Sequence, residues 1–289
     1  MNIKLAKWLL LLLLLSELAF SPLLFMRAKS IRLNYFSRDH LIVYMAMVTL
    51  CFVAWGYMAY MGWAMQHMDT VEMWMPPRSG TRPWQLHDFW MLFVMWSVMM
   101  IAMMTPSVLP MVSMYMTVTQ SKKAKGQAYT PTIIFLIGYL IAWILFSVVI
   151  SIIQYPLHVT GLLNPMMDSR SYLLSGTILI FAGIYQWTPW KNACLQQCRS
   201  PLQFLMTSWH EGKWGAVRMG IHHGAYCIGC CWALMAVMFS VGVMNVMWMI
   251  IIAFFVLAEK ISPVSAGYIR FISGVGLVVW GGYWLTLYF

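Results

Sequence analysis

The sequence predicts an all-α fold, a polytopic transmembrane helix bundle of about eight spans, and three observations predict it. Charged residues make up 9% and hydrophobic residues 62% of the 289, with mean hydropathy +0.73, whereas a soluble domain carries about a quarter charged residues. Apolar runs able to cross hydrocarbon, roughly 20 residues each, recur near 5–25, 41–65, 88–118, 131–155, 171–188, 219–241, 244–258 and 264–287. Basic residues gather on alternate connections between those runs, as short cytoplasmic loops require. A soluble enzyme is excluded. The chain reads as one transmembrane domain over 1–289, with a two-span N-terminal region over 1–87, a core over 88–260 and a last span over 261–289.

Each run has its own character. The first carries Lys4 and Lys7 at its start and is a span, a hairpin, an interfacial helix or a signal segment. Ala19-Phe20-Ser21 has the form of a cleavage site, but Pro22 follows, so retention is the expectation. Glu17 lies inside this run, and an acid there needs a helix partner or another subunit. The run at 88–118 is long enough to protrude from a bilayer; the run at 244–258 is short enough to be tilted or broken.

Orientation follows from the charges. Arg27, Lys29, Arg32 and Arg38 lie between the first two runs, and Lys122, Lys123 and Lys125 between the third and fourth. Lys191, Arg199, Lys213 and Arg218 lie between the fifth and sixth, while Lys260 and Arg270 flank the last connection. The opposite connections hold Arg78, Arg82 and Arg170 beside Asp69, Glu72, Asp88 and Asp168. The first set is cytoplasmic by this rule, which makes the chain a multi-pass membrane protein. It also accounts for the net charge of +10 without a nucleic-acid partner.

The chemistry starts at His222-His223-Gly224-Ala225-Tyr226-Cys227-Ile228-Gly229-Cys230-Cys231-Trp232. Residues four apart share a helix face, so His223, Cys227 and Cys231 align, with Cys230 on the adjoining edge. At 1.5 Å per residue from the inner boundary the thiols lie about 12–18 Å deep. One imidazole and three thiols suit Cu(I), with zinc or an iron–sulfur centre as alternatives, whereas magnesium and calcium prefer oxygen. The other reading is that cysteine packs as a small hydrophobe and that Gly224 and Gly229 allow close helix contact. Cys194 and Cys198, also four apart, form a CxxxC pair on the inner side, able to exchange metal with a thiol donor or simply to pack. A zinc site usually needs four ligands.

Methionine is the compositional oddity, at 28 residues against 8 acids. Met91, Met95, Met99 and Met103 recur every four residues with Met100 and Met104 alongside, which makes either a ladder of weak soft sites or flexible packing. His87 and Asp88 precede the ladder; Asp88 also suits a helix start. The outer loop holds Met65, His67, Met68, Asp69, Glu72, Met73 and Met75, and it either collects metal or forms an interfacial belt with Trp74 and Trp84. Glu259 is followed by Lys260, which reads as a local ion pair.

Met100-Ile101-Ala102-Met103-Met104-Thr105-Pro106-Ser107, Thr188-Pro189-Trp190-Lys191 with Cys194 and Cys198-Arg199-Ser200-Pro201, and above all the segment from His223 to Met235 carry a resemblance. Gly242-Val243-Met244-Asn245, Trp248-Met249 and Glu259-Lys260 continue it. Over roughly 88–260 the chain resembles a bacterial family of integral membrane proteins of unknown function described as predicted metal-binding. The resemblance implies a metal without identifying it, and it implies that His223, Cys227, Cys230 and Cys231 form a site.

The expectation is a membrane protein that binds and transfers or delivers a soft metal ion, Cu(I) by its donor set. Its metal residues are His223, Cys227, Cys230, Cys231, Met99, Met103, His67, Cys194 and Cys198, and its partners are the lipid bilayer and a metal donor or acceptor protein. The alternative is a non-catalytic subunit or assembly factor of a larger membrane oxidase or monooxygenase complex, joined through the first span. A thiol–disulfide enzyme is a third reading, since Cys227 and Cys230 form a CxxC. No nucleotide loop, GxSxG elbow or other catalytic constellation is present.

Overall fold

Pro106 divides the third apolar run. In the computed structural model, which describes residues 38–67, 84–163, 171–262 and 266–287, that run becomes α2 (Leu86–Met104), a single 3-10 turn (Pro106–Val108) and α3 (Leu109–Ala124). Proline has no N–H to continue the ladder. The Val108 N–H instead donates to the Thr105 carbonyl at 3.4 Å, so the Met104 carbonyl loses its i+4 main-chain donor.

The other described runs are also helical. α1 (Arg38–His67) precedes α2, and α4 (Thr132–Val159) follows α3. α5 (Tyr172–Gln186) leads through the short helices α6 (Pro189–Arg199) and α7 (Pro201–Ser208) into α8 (Gly212–Val241), then α9 (Val246–Ile261) and α10 (Ala266–Thr286). Among the described residues the fold is all-helical and contains no strand. Four of these helices, α1 over His40–Ala64, α2, α4 and α8, are long and apolar enough to cross a membrane; α5 is apolar but shorter. The first run and Glu17 lie outside the described residues, as do the loop methionines from Met68 onward and the side chains of Met65 and His67.

Two compact units divide the chain at Tyr44 and Met45. The described part of the first is the opening of α1; the rest of α1 and every later helix belong to the second. Within the second unit α8 packs on α4, α5 and α6, α2 packs on α4, and α5 packs on α10.

Helix termini carry local signals. Asp88 accepts from the Gln85 N–H at 2.8 Å and completes a capping box, a satisfied N-terminal arrangement. Thr188 caps α6 with Pro189 at its first position, and Asn245 caps α9.

The α4–α8 crossing is the contact that positions the site. A Cβ on Gly220 would collide with the Phe135 carbonyl and stand 2.8 Å from the Tyr139 nitrogen. Only glycine lets the two backbones approach this closely. One turn on, Gly224 faces Ala142, and the next turn of α8 presents Cys227 to the Tyr139 side chain.

Candidate metal centre

Cys227, Cys230 and Cys231 are all buried, and their local geometry comes from the helix itself. The Cys230 thiol donates to the Cys227 carbonyl at 3.1 Å and the Cys231 thiol to the same carbonyl at 2.9 Å. Such back-bonding occupies a helix carbonyl with a side-chain donor, and here it gathers two sulfurs around one oxygen.

Cys227 is held from α4 and from α9. Its Sγ lies 3.1 Å from the Tyr139 hydroxyl on α4 and accepts from Lys260 Nζ on α9 at 2.9 Å. The same ammonium donates to Ser107 Oγ at 2.9 Å. Ser107 in turn donates to the Met104 carbonyl at 2.9 Å, and Tyr139 donates to it at 3.2 Å. The carbonyl released by the Pro106 break is therefore satisfied by the residues that surround the sulfur.

The CxxxC pair of α6 joins this site. The Cys198 side chain hydrogen-bonds those of Cys227 and Cys230, and those bonds, with burial, push its thiol well above the usual range. Burial and the neighbouring Cys230 also raise Cys194. A Cβ on Gly229 would stand 2.8 Å from Cys194 Sγ, so glycine at that position lets α6 lie against α8. Among the described cysteines, Cys51 on α1 is the one outside this cluster.

His223 lies one turn before Cys227 and is 3% exposed. Its ring packs edge-on against Phe204 at 5.2 Å between centroids and near Tyr139 at 6.0 Å, while Nδ1 has no hydrogen-bond partner. A buried ring nitrogen without a partner is costly and is the right atom for a soft metal. Among the described residues no three His, Cys, Asp or Glu side chains are already arranged to hold a metal ion; the thiols are turned instead toward the Cys227 carbonyl and toward one another.

Residues 93–284 match the family described as PpoB2, copper chaperone. The chain belongs to the PpoB2 copper chaperone family. No curated protein and no solved structure matches it. The PpoB2 match takes in Met99, Met103, Ser107, Tyr139, Cys194, Cys198, His223, the three α8 cysteines and Lys260, and it begins after α1, His67 and Met91.

The methionines of the ladder, Met91, Met95, Met99, Met100, Met103 and Met104, are all buried, and the ladder ends at the carbonyl that Tyr139 and Ser107 share. Lys260, Tyr139 and Ser107 are the site residues that sequence reasoning missed. The ion pair expected between Glu259 and Lys260 is corrected: Glu259 pairs with Lys191 at 2.8 Å, both fully buried, and Lys191 also donates to Gln186. Consecutive helix residues do not face each other, so Lys260 was free to point at α8.

Proposed function

We propose that this protein is a multi-pass inner-membrane copper chaperone that binds Cu(I) as cargo in the cluster of His223, Cys227, Cys230, Cys231 and Cys198 and delivers it to an acceptor protein. The observation that carries this reading is that Cys198 from α6 meets the α8 thiols beside a buried imidazole with an unpartnered nitrogen. Soft sulfur with one imidazole suits Cu(I), and the family is one of copper chaperones.

Charge supports it as well. Cu(I) held by two thiolates is a monoanion, and an anion in a low-dielectric interior needs a nearby cation. Lys260 is that cation. Cys194, a further sulfur at the edge of the cluster, is placed for exchange with a thiol donor or acceptor, and Met99 and Met103 on α2 offer weaker thioether sites on the approach.

The eight-span arrangement belongs to the same proposal. Four helices have the length and apolarity to cross, and large apolar side chains such as Phe52, Leu145, Ile152, Phe271 and Val279 are exposed, as lipid-facing positions would be. His67 and the outer methionine loop are proposed to collect copper at the opposite face.

The test is the copper content of purified protein loaded anaerobically with Cu(I), wild type against a Cys227→Ser/Cys230→Ser/Cys231→Ser variant. Wild type is expected to hold copper with the near-ultraviolet absorption of Cu(I)–thiolate bonds, and the variant to lack that absorption. Equal, negligible copper in both proteins would overturn the proposal.

A further inference from the structure

α7 is a strap of eight residues fastened at both ends. Before it, Arg199 donates to the Ser262 carbonyl at 2.7 Å; after it, the Trp209 ring stacks on that of Tyr115 at 5.7 Å and lies under the Lys122 ammonium. Between these fastenings α7 packs on α3 and α6. Its Thr207 hydroxyl bonds back to the Gln203 and Phe204 carbonyls, and the Phe204 ring carries it onto α8.

Phe204 is 0% exposed, and its ring meets three side chains of α8: His223 at 5.2 Å, His222 at 5.8 Å and Tyr226 at 6.3 Å between centroids. His222 and His223 are consecutive, yet they differ in access. His223 is buried, with Phe135 and Tyr139 on its α4 side, while His222 is exposed and rests on Tyr226 at 4.8 Å. One phenyl ring therefore touches both an imidazole at the surface and the imidazole of the metal centre.

We infer that Cu(I) exchanges with the cluster from the α7 side, with His222 as the surface ligand and Phe204 as the side chain that turns aside to let the ion pass to His223. The inference rests on the copper reading above and adds a route and its gate. Neutral imidazole is a metal ligand, whereas a phenyl ring offers copper no lone pair and shuts the path while it stays in place. Both donors bind as neutral imidazole, so the hand-over trades one Cu–N bond for another and moves neither a proton nor an electron. Beyond His223, the next turn of α8 presents Cys227. The opposite face of α7 is open, with Leu202 and Met206 exposed, so Phe204 has room to withdraw from α8.

A gate changes how fast copper enters and leaves, in both directions alike, and leaves the amount bound at equilibrium unchanged. The experiment uses the full chain in detergent under anaerobic conditions. Stopped-flow absorption of the Cu(I)–thiolate bonds follows loading from the Cu(I)–acetonitrile complex and removal by an excess of a water-soluble chromophoric Cu(I) chelator. Wild type is compared with Phe204→Leu, Phe204→Ala and His222→Gln, each checked for helix content and monodispersity. Both Phe204 variants should load and unload severalfold faster than wild type at the same affinity, the alanine variant more so than the leucine. His222→Gln should be severalfold slower in both directions, again at the same affinity.

Should Phe204→Ala fail to fold, Phe204→Leu, which keeps the position apolar, and His222→Gln at an exposed position carry the test. Wild-type rates in the folded variants would overturn the route while leaving the cysteine site standing. A change in the Phe204 variants confined to unloading would overturn it as well, since that is a loss of affinity and makes Phe204 packing for the site. A wild-type protein that takes up no copper would overturn the copper reading and this inference with it.

Discussion

Lys260 on α9 donates a 2.9 Å hydrogen bond to the sulfur of Cys227 on α8. Its other acceptor is Ser107 at 2.9 Å, so these two contacts engage two of the three N–H donors of a buried ammonium. Cys227→Ala therefore leaves a buried cation with one partner fewer, at a cost of about 1–3 kcal/mol. Adding Lys260→Met to that variant is expected to recover much of the loss, a coupling that a double-mutant cycle of thermal unfolding in detergent would measure.

Lys191 and Glu259 form an ion pair that tethers the first turn of α6 to α9. Removing one partner of a buried pair costs about 3–5 kcal/mol, whereas replacing both with apolar groups is far milder. Glu259→Gln should lower the melting temperature more than Lys191→Met/Glu259→Leu does. Because α6 carries Cys198, Glu259→Gln is also expected to raise the rate of Cys198 alkylation.

Glu211 precedes α8 and accepts from Lys122 and from the Trp209 indole N–H at 2.8 Å. These two bonds, Lys122 first, hold its carboxyl below the ordinary 4.5. The contact is complete above that ordinary value and is lost as pH falls through the lowered one. Trp209 fluorescence, taken as the difference between wild type and Trp209→Phe, should change on acidification below the ordinary carboxylate range. Glu211→Gln should abolish the transition.

Gly220→Ala places a methyl group into the Phe135 carbonyl. Rigid backbone cannot yield as a side chain can, and overpacking costs about 1–3 kcal/mol or more. The expected result is a destabilised protein whose Cys227 is more readily alkylated, since the α4–α8 crossing also sets the Tyr139 contact. Gly229→Ala meets the Cys194 thiol instead and should be tolerated, with Cys194 alkylation faster than in wild type.

Much of this architecture is legible in the sequence because it is periodic. The stripe of His223, Cys227 and Cys231 follows from four-residue spacing alone. The long third run reads from its length as one protruding helix; its split at Pro106 has a physical signal in proline's missing N–H that length does not carry. Cys194 and Cys198 were readable as a common face; that this face would meet the α8 cysteines depended on Gly229, whose missing side chain was visible while its neighbour was not.

Contacts between residues far apart in the chain were not legible. Lys260 and Cys227 lie 33 positions apart, and Lys191 and Glu259 lie 68 apart. Each depends on the angle at which whole helices cross.

The kink at Pro106 and the sulfur of Cys227 share a single cation. The Lys260 ammonium holds both, through Ser107 on one side and directly on the other, while Tyr139 links the same sulfur to the carbonyl that the kink released. A change in the bonding of that sulfur therefore redistributes hydrogen bonds at the joint between α2 and α3. The break that ends the methionine helix and the first sulfur of the cysteine cluster are thus parts of one hydrogen-bond network.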